Sequence, residues 1–241
     1  MRSTETNLSA TKTNCVPVLA IDGPSGSGKG TISLAVARQL GWHYLDSGAL
    51  YRVLGHIAAR NDIDLADEVG LMGLVDDLND DRNDALEIEF RDGAVWLCGE
   101  EVGDEIRTEE AGRRASMVAP IRGVRAKLLV WQRGRAQMPG LVADGRDMGT
   151  VVFPNATCKI FLTASAQARA QRRFRQLRDK GFDVTMARLF KEISERDARD
   201  ANRAVSPLKP AADAVVLDTT NLTIEVVVSQ ALALVRDATD K

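Results

Sequence analysis

Ile21, Asp22, Gly23, Pro24, Ser25, Gly26, Ser27, Gly28, Lys29, Gly30 and Thr31 run in that order behind the apolar residues 16–20 and ahead of a helix-like segment. That order reads as a phosphate-binding loop. Glycines at 23, 26, 28 and 30 let the backbone turn without Cβ clashes, so successive N–H groups can converge on phosphate oxygens while the next helix aims its positive end at the same anion. Lys29 adds a full charge. The competing reading is a glycine-rich turn with a solvated lysine, and the strand before it and helix after it favour the anion site.

The common form of this loop ends in Gly, Lys and then a Ser or Thr whose hydroxyl meets Mg²⁺, whereas here Gly30 stands between Lys29 and Thr31. The Gly-Lys-Gly-Thr order resembles the loop of nucleoside monophosphate kinases. Thr31 remains the candidate metal ligand on this loop.

Working outward, residues 31–40 carry a helical stripe of Ile32, Ala35, Val36 and Leu40, stopped by Gly41, and residues 42–45 form a short strand ending at Asp46. Ser47 is the expected N-cap of a helix through Arg60. Further helices are expected around 68–78, 108–118, 121–137, 166–180, 185–200 and 223–237, and further strands at 141–144, 159–162 and, as a last buried strand, 214–217. Residues 85–90 and 94–98 alternate about the turn Arg91-Asp92-Gly93 and read as an antiparallel hairpin. The fold class is therefore α/β: a three-layer P-loop core whose mostly parallel five-stranded sheet is flanked by helices, with a small antiparallel insertion, to which the resemblance to nucleoside monophosphate kinases adds a helical lid.

The 241 residues, 44% hydrophobic and 27% charged, suit one α/β domain with an insertion, and no apolar run is long enough to span a bilayer. Residues 1–14 are polar, lack the apolar core of a secretory signal, and are expected to be a disordered leader to a domain over 15–241. Cys15, Cys98 and Cys158 are odd in number and far apart, which fits neither a disulfide framework nor a zinc site and points to the cytoplasm. The net charge of −2 hides eight lysines against 24 arginines, many between 107 and 203. Arginine matches phosphate bidentately, so such a concentration in an acidic chain hints at bound anions. Overall acidity and 5% aromatic content argue against a nucleic-acid binder.

Asp46-Ser47-Gly48-Ala49-Leu50-Tyr51-Arg52 and Asp144-Gly145-Arg146-Asp147-Met148-Gly149-Thr150 both follow strands, at the edge where open α/β sheets bind ligands. Asp144 then falls where a carboxylate would hold Mg²⁺ or its water. Together with the loop, with Val151-Val152-Phe153-Pro154 and with the run Arg196-Asp197-Ala198-Arg199-Asp200-Ala201-Asn202-Arg203, these segments closely resemble the bacterial cytidylate kinase family, over nearly the whole chain. The resemblance implies transfer of the γ-phosphoryl group of ATP to CMP or dCMP with Mg²⁺, by a monomer that needs no protein partner. It implies that Arg52, Arg146 and Arg203 grip the acceptor phosphate, that Ser47, Arg125 and Asp147 read cytosine, and that Ser116 and Asp200, with Arg196, hold the ribose. Catalysis falls to Lys29, Arg146, Arg172 and Arg203. Arg169, Arg172, Arg173 and Arg178 are assigned to a lid over ATP at about 166–184, and the insertion to about 75–115. Phosphoryl transfer needs positioned cations rather than a nucleophilic side chain, in keeping with a chain that has only His43 and His56. A kinase acting on UMP, AMP or shikimate, or a GTPase-type switch, stands as the alternative. No Asn-Lys-x-Asp motif for guanine is present.

Overall fold

The computed structural model describes residues 16–79, 87–91, 93–179 and 181–240. The expected leader at 1–14, the start of the hairpin at Ala85 and Leu86, its turn residue Asp92, and Lys180 lie outside the described residues. Five strands, β1 (Val18–Asp22), β2 (His43–Asp46), β6 (Leu141–Gly145), β7 (Cys158–Thr163) and β8 (Val215–Asp218), form one sheet in the order β2-β6-β1-β7-β8. Every pairing in it is parallel.

Strand periodicity explains how this sheet carries a core on each face. Val18 and Ala20 of β1, with Leu141 and Ala143 of β6, pack under α2 (Ser47–Arg60) and its neighbours, while Leu19, Ile21 and Val142 turn toward α1 (Lys29–Leu40) and α9 (Ile224–Thr239). A strand buried on both sides is apolar along most of its length, which is why β1 and β6 read as hydrophobic runs up to Asp22 and Asp144 near their carboxyl ends. Leu54, fully buried on α2, is central to the first core. Leu54→Ala is expected to cost about 2–5 kcal/mol in urea unfolding, since the cavity it leaves is lined by elements that cannot close over it.

The outer strand corrects the expectation of a last buried strand. β8 pairs only with β7, and Val215 and Val216 are 39% and 53% exposed. Apolar composition marks a strand but does not distinguish a central place from an edge. The helix N-cap expected at Ser47 is also corrected: Asp46 is the cap and accepts the Ala49 N–H at 2.8 Å, leaving Ser47 as the first helical residue, buried. Both residue types cap well, and the structure decides by one position.

The insertion is a three-stranded antiparallel sheet, β3 (Ile88–Arg91), β4 (Ala94–Leu97) and β5 (Glu100–Glu101), whose Ile88, Val95 and Leu97 join the first core. It follows α3 (Glu68–Asn79) and leads through α4 (Gly103–Ile106) into α5 (Glu109–Val118) and α6 (Arg122–Gly134). Beyond β7, α7 (Ala166–Asp179) and α8 (Met186–Ala201) pack on each other as a helical hairpin. None of the described helices is long and apolar enough to cross a membrane.

Candidate active site

The carboxyl ends of β1, β2 and β6 bring three separate segments to one edge of the sheet, where parallel α/β sheets bind ligands. After β1 the loop turns through Gly28, whose φ of 91° only glycine adopts without strain, and α1 begins at Lys29, two residues earlier than the helical stripe predicts. No side chain caps this end, so its first N–H groups remain to receive an anion.

A cleft of about 500 Å³ has Ser25–Thr31 as its floor, Arg172 and Arg173 of α7 on one wall, and Leu222, Ile224 and Val227 at its apolar end. Arg52 and Arg196 reach it from α2 and α8. A smaller pocket of about 60 Å³ adjoins, lined by Ser47, Tyr51, Ser116, Arg125, Arg146, Asp147 and Arg203, and Arg196 lines this space too. Gly145 permits the close approach of two elements here, because a Cβ on it would sit 2.5 Å from the Ser47 hydroxyl.

Within the smaller pocket Arg125 forms an ion pair with Asp147, donates to Ser206 Oγ at 2.8 Å and to the Ala119 carbonyl at 3.1 Å, and lies 6.0 Å from the centre of the Tyr51 ring. Arg146 Nε donates to Asp200 at 2.9 Å, and Arg203 pairs with the other oxygen of that carboxylate. Burial would raise the pKa of Asp200, but Arg146 and Arg203 outweigh it and hold the carboxyl below its usual range. Asp200 therefore anchors two arginines and does not itself line either cavity. Ser116 donates to the Gly112 carbonyl at 3.0 Å, and Arg52 to that of Ile106 at 2.8 Å.

Where the two cavities meet, positive charge is crowded and incompletely answered. The Arg196 Nε is buried with no hydrogen-bond partner, and burial, then Arg146 and Arg52, push its pKa down to about 10. Lys29 is pushed down by burial and by Arg146, and its Nζ donates to the Pro24 carbonyl at 3.3 Å. Desolvated like charges this close are unfavourable until an anion enters.

Asp144 is buried behind the loop, accepts the Tyr44 hydroxyl at 2.8 Å, and is pushed upward in pKa by burial and then by Asp46, its register partner on β2. Thr31 stands exposed at the start of α1 and lines the larger cleft. Among the described residues no group of three or more His, Cys, Asp or Glu could hold a metal alone. Mg²⁺ at a phosphoryl-transfer site takes one or two protein oxygens and completes its shell with phosphate and water. Thr31 and Asp144 offer only oxygens; Asp144 lines neither cavity but lies against the loop, its Oδ2 3.5 Å from a Cβ on Gly30, and a carboxyl pressed toward neutrality by burial and then by Asp46 gains by the approach of a cation.

Gly23 and Pro24 shape the loop without lining either cavity. Of the four arginines expected in the lid, Arg172 and Arg173 line the larger cleft, while Arg169 and Arg178 lie on the same helix and line neither cavity. Arg169 is buried at the root of α7, donating to the carbonyls of Ser25 and Ala164 at 3.0 Å and pairing with Asp197, so it braces the loop against α8. Arg178 is exposed, 4.0 Å from Asp183, and lines neither cavity. Arg172 donates to the Ser27 carbonyl at 3.2 Å and to Thr219, whose hydroxyl also donates to Ser27. Sequence reasoning assigned no role to Asp22, Tyr44, Thr219 or Ser206. Asp22 and Tyr44 sit in or beside quoted motifs and were visible as such, whereas Thr219 and Ser206 carry no local signal.

A family model described as cytidylate kinase matches residues 19–237. The chain is 54% identical over 217 residues to a curated cytidylate kinase of Aeromonas salmonicida (strain A449), covering 90% of this chain and 93% of that protein. It is 54% identical over 224 residues to another, of Klebsiella pneumoniae (strain 342), covering 92% and 96%. A solved gluconokinase from Sinorhizobium meliloti 1021 is a distant likeness, with a TM-score of 0.46 and 16% identity over 93% of this chain and 94% of that one. Matched from the first core strand to the last helix, and sharing more than half its aligned residues with relatives of nearly equal length, the chain belongs to the cytidylate kinase family.

Proposed function

We propose that this chain transfers the γ-phosphoryl group of ATP to CMP or dCMP, with the larger cleft taking the donor and the smaller pocket the acceptor. The observation that carries this reading is Arg196, which lines both spaces and keeps a buried, unpartnered Nε at their junction. An oxygen of the acceptor phosphate forms a bond to the γ-phosphorus as the bond from that phosphorus to the β,γ-bridging oxygen breaks, and ADP leaves with the electron pair. The chain's task is to align two anions and spread the charge of the transferring group. Lys29 and the loop amides hold the β- and γ-phosphates, Arg172 flanks them, Arg146 and Arg203 hold the acceptor phosphate from the smaller pocket, and Arg52 reaches that phosphate from the larger cleft that it lines. Thr31 and Asp144 would hold Mg²⁺, which when bound neutralises charge across the β- and γ-phosphates.

The segment at about 166–184, which α7 opens, acts as a lid that excludes water, and the insertion at about 75–115 closes on the acceptor side. Ser116 and Asp200 serve the ribose, Asp200 through the arginines it anchors. The same reading makes the protein a cytoplasmic monomer that requires neither nucleic acid, membrane nor protein partner.

Base selection follows from the Arg125–Asp147 pair, with Ser47 beside it. Cytosine offers an N4 amino donor to Asp147 and N3 and O2 acceptors to Arg125, while uracil sets a carbonyl against the carboxylate and an N–H against the guanidinium. Each unmatched buried group costs roughly 1–3 kcal/mol, so kcat/KM for CMP should exceed that for UMP by on the order of 100-fold. Asp147→Asn is expected to narrow that ratio, because an amide can turn its donor to the uracil O4. Steady-state kinetics with both nucleotides test this, and equal use of CMP and UMP by the unaltered protein would remove the cytosine assignment.

A further inference from the structure

Asp22 ends β1, one residue before the loop that floors the donor cleft, yet its side chain grips the acceptor side. Its Oδ1 accepts the Met148 N–H and its Oδ2 the Gly149 N–H, each at 2.8 Å, and the residue is 4% exposed. These amides open a single π-helical turn, Met148–Val152, that follows directly on Arg146 and Asp147.

No cation answers this carboxylate with an ion pair among the described residues. Lys159, whose stem would lie 3.2 Å from a Cβ on Gly149, commits its ammonium to Asp213 and to the Pro154 carbonyl. Burial, and less strongly Asp147, push the Asp22 pKa up to about 6 in spite of the two backbone bonds and the unpaired influence of Arg146, which lower it. A buried charge without a paired counter-ion is unfavourable in a strand that an apolar residue could complete. What the carboxylate supplies instead is a pair of acceptors, and both are directed at one turn.

We infer that Asp22 is a positioning residue that ties the turn immediately following Arg146 and Asp147 to the donor loop and thereby sets how those two side chains meet the acceptor nucleotide. This rests on the reading that the smaller pocket takes CMP.

Asp22→Asn is nearly isosteric but turns an NH₂ toward one of the two amide donors, so the turn must shift while the loop backbone keeps its course. A misplacement of this kind is expected to raise KM for CMP on the order of 10-fold and to reduce the preference for CMP over UMP, with KM for ATP changed less than about 2-fold. A merely structural residue next to Gly23 would disturb ATP first or both substrates alike. ATP and CMP parameters moving together, or CMP parameters unchanged, would overturn the inference alone. Wild-type protein that fails to phosphorylate CMP would overturn the functional reading and this inference with it. If Asp22→Asn does not fold, Asp22→Ser is assayed in the same way, and amide hydrogen exchange is followed in the wild type. Met148 and Gly149 amides exchanging as fast as an exposed loop would contradict the two bonds on which the inference stands.

Discussion

Lys29→Ala is expected to lower kcat about 10²–10³-fold while the protein still folds, the loss typical of removing one preorganised donor from developing charge. Lys29 occupies the first position of α1, half-buried in the cleft, within the electrostatic reach of Arg146 and of Asp144 and Asp46. Burial and Arg146 press it toward the neutral form, so in the empty protein the ammonium is an electrostatic burden. Its removal should leave the melting temperature unchanged or slightly higher. Bound β- and γ-phosphates reverse that balance and hold the charge in place, which is why the loss should appear in turnover. Steady-state kinetics beside thermal unfolding separate the two, and near-normal turnover would contradict the placement of the donor on this loop.

Arg196→Ala is expected to have an effect of similar size, about 10²–10³-fold in kcat, with smaller changes in the binding of either nucleotide alone. Its guanidinium stands between the two cavities, repelled by Arg146 and Arg52, and its buried Nε is unpartnered. A group held there against such repulsion is best answered by charge that is greatest during transfer. Calorimetric titration with CMP and with a non-hydrolysable ATP analogue, set against kcat, distinguishes this from the ribose-holding role that the family resemblance suggests. An intact kcat with weakened CMP binding alone would restore the ribose role.

Local signals carried most of the core. The loop, the helix after it and the apolar strands that bury both faces are legible because each depends on neighbours within a few residues. The acceptor pocket is different: Ser47 and Tyr51 on α2, Ser116 on α5, Arg125 on α6, Arg146 and Asp147 after β6 and Arg203 after α8 meet only through the sheet order. No periodicity encodes that meeting, and the resemblance of motifs supplied it. Contacts between distant positions stayed hidden, such as Asp22 with Met148, Arg125 with Ser206, and Arg169 with Ser25. Arg169 also illustrates how an arginine-rich helix misleads, since charge pattern does not reveal which member is buried as a brace. β8 was recognised as a strand and misjudged as buried, because being an edge is a property of the sheet and not of the strand.

The most direct test follows the phosphoryl group itself. The protein is incubated with Mg²⁺ and ATP labelled at the γ-phosphorus, in turn with CMP, dCMP, UMP, AMP, shikimate or no acceptor, and the labelled products are separated. Transfer between two adjoining anion sites predicts label in CDP and dCDP, far less in the other acceptors, and little inorganic phosphate when no acceptor is present. Label released as inorganic phosphate at the same rate with or without CMP would contradict the account.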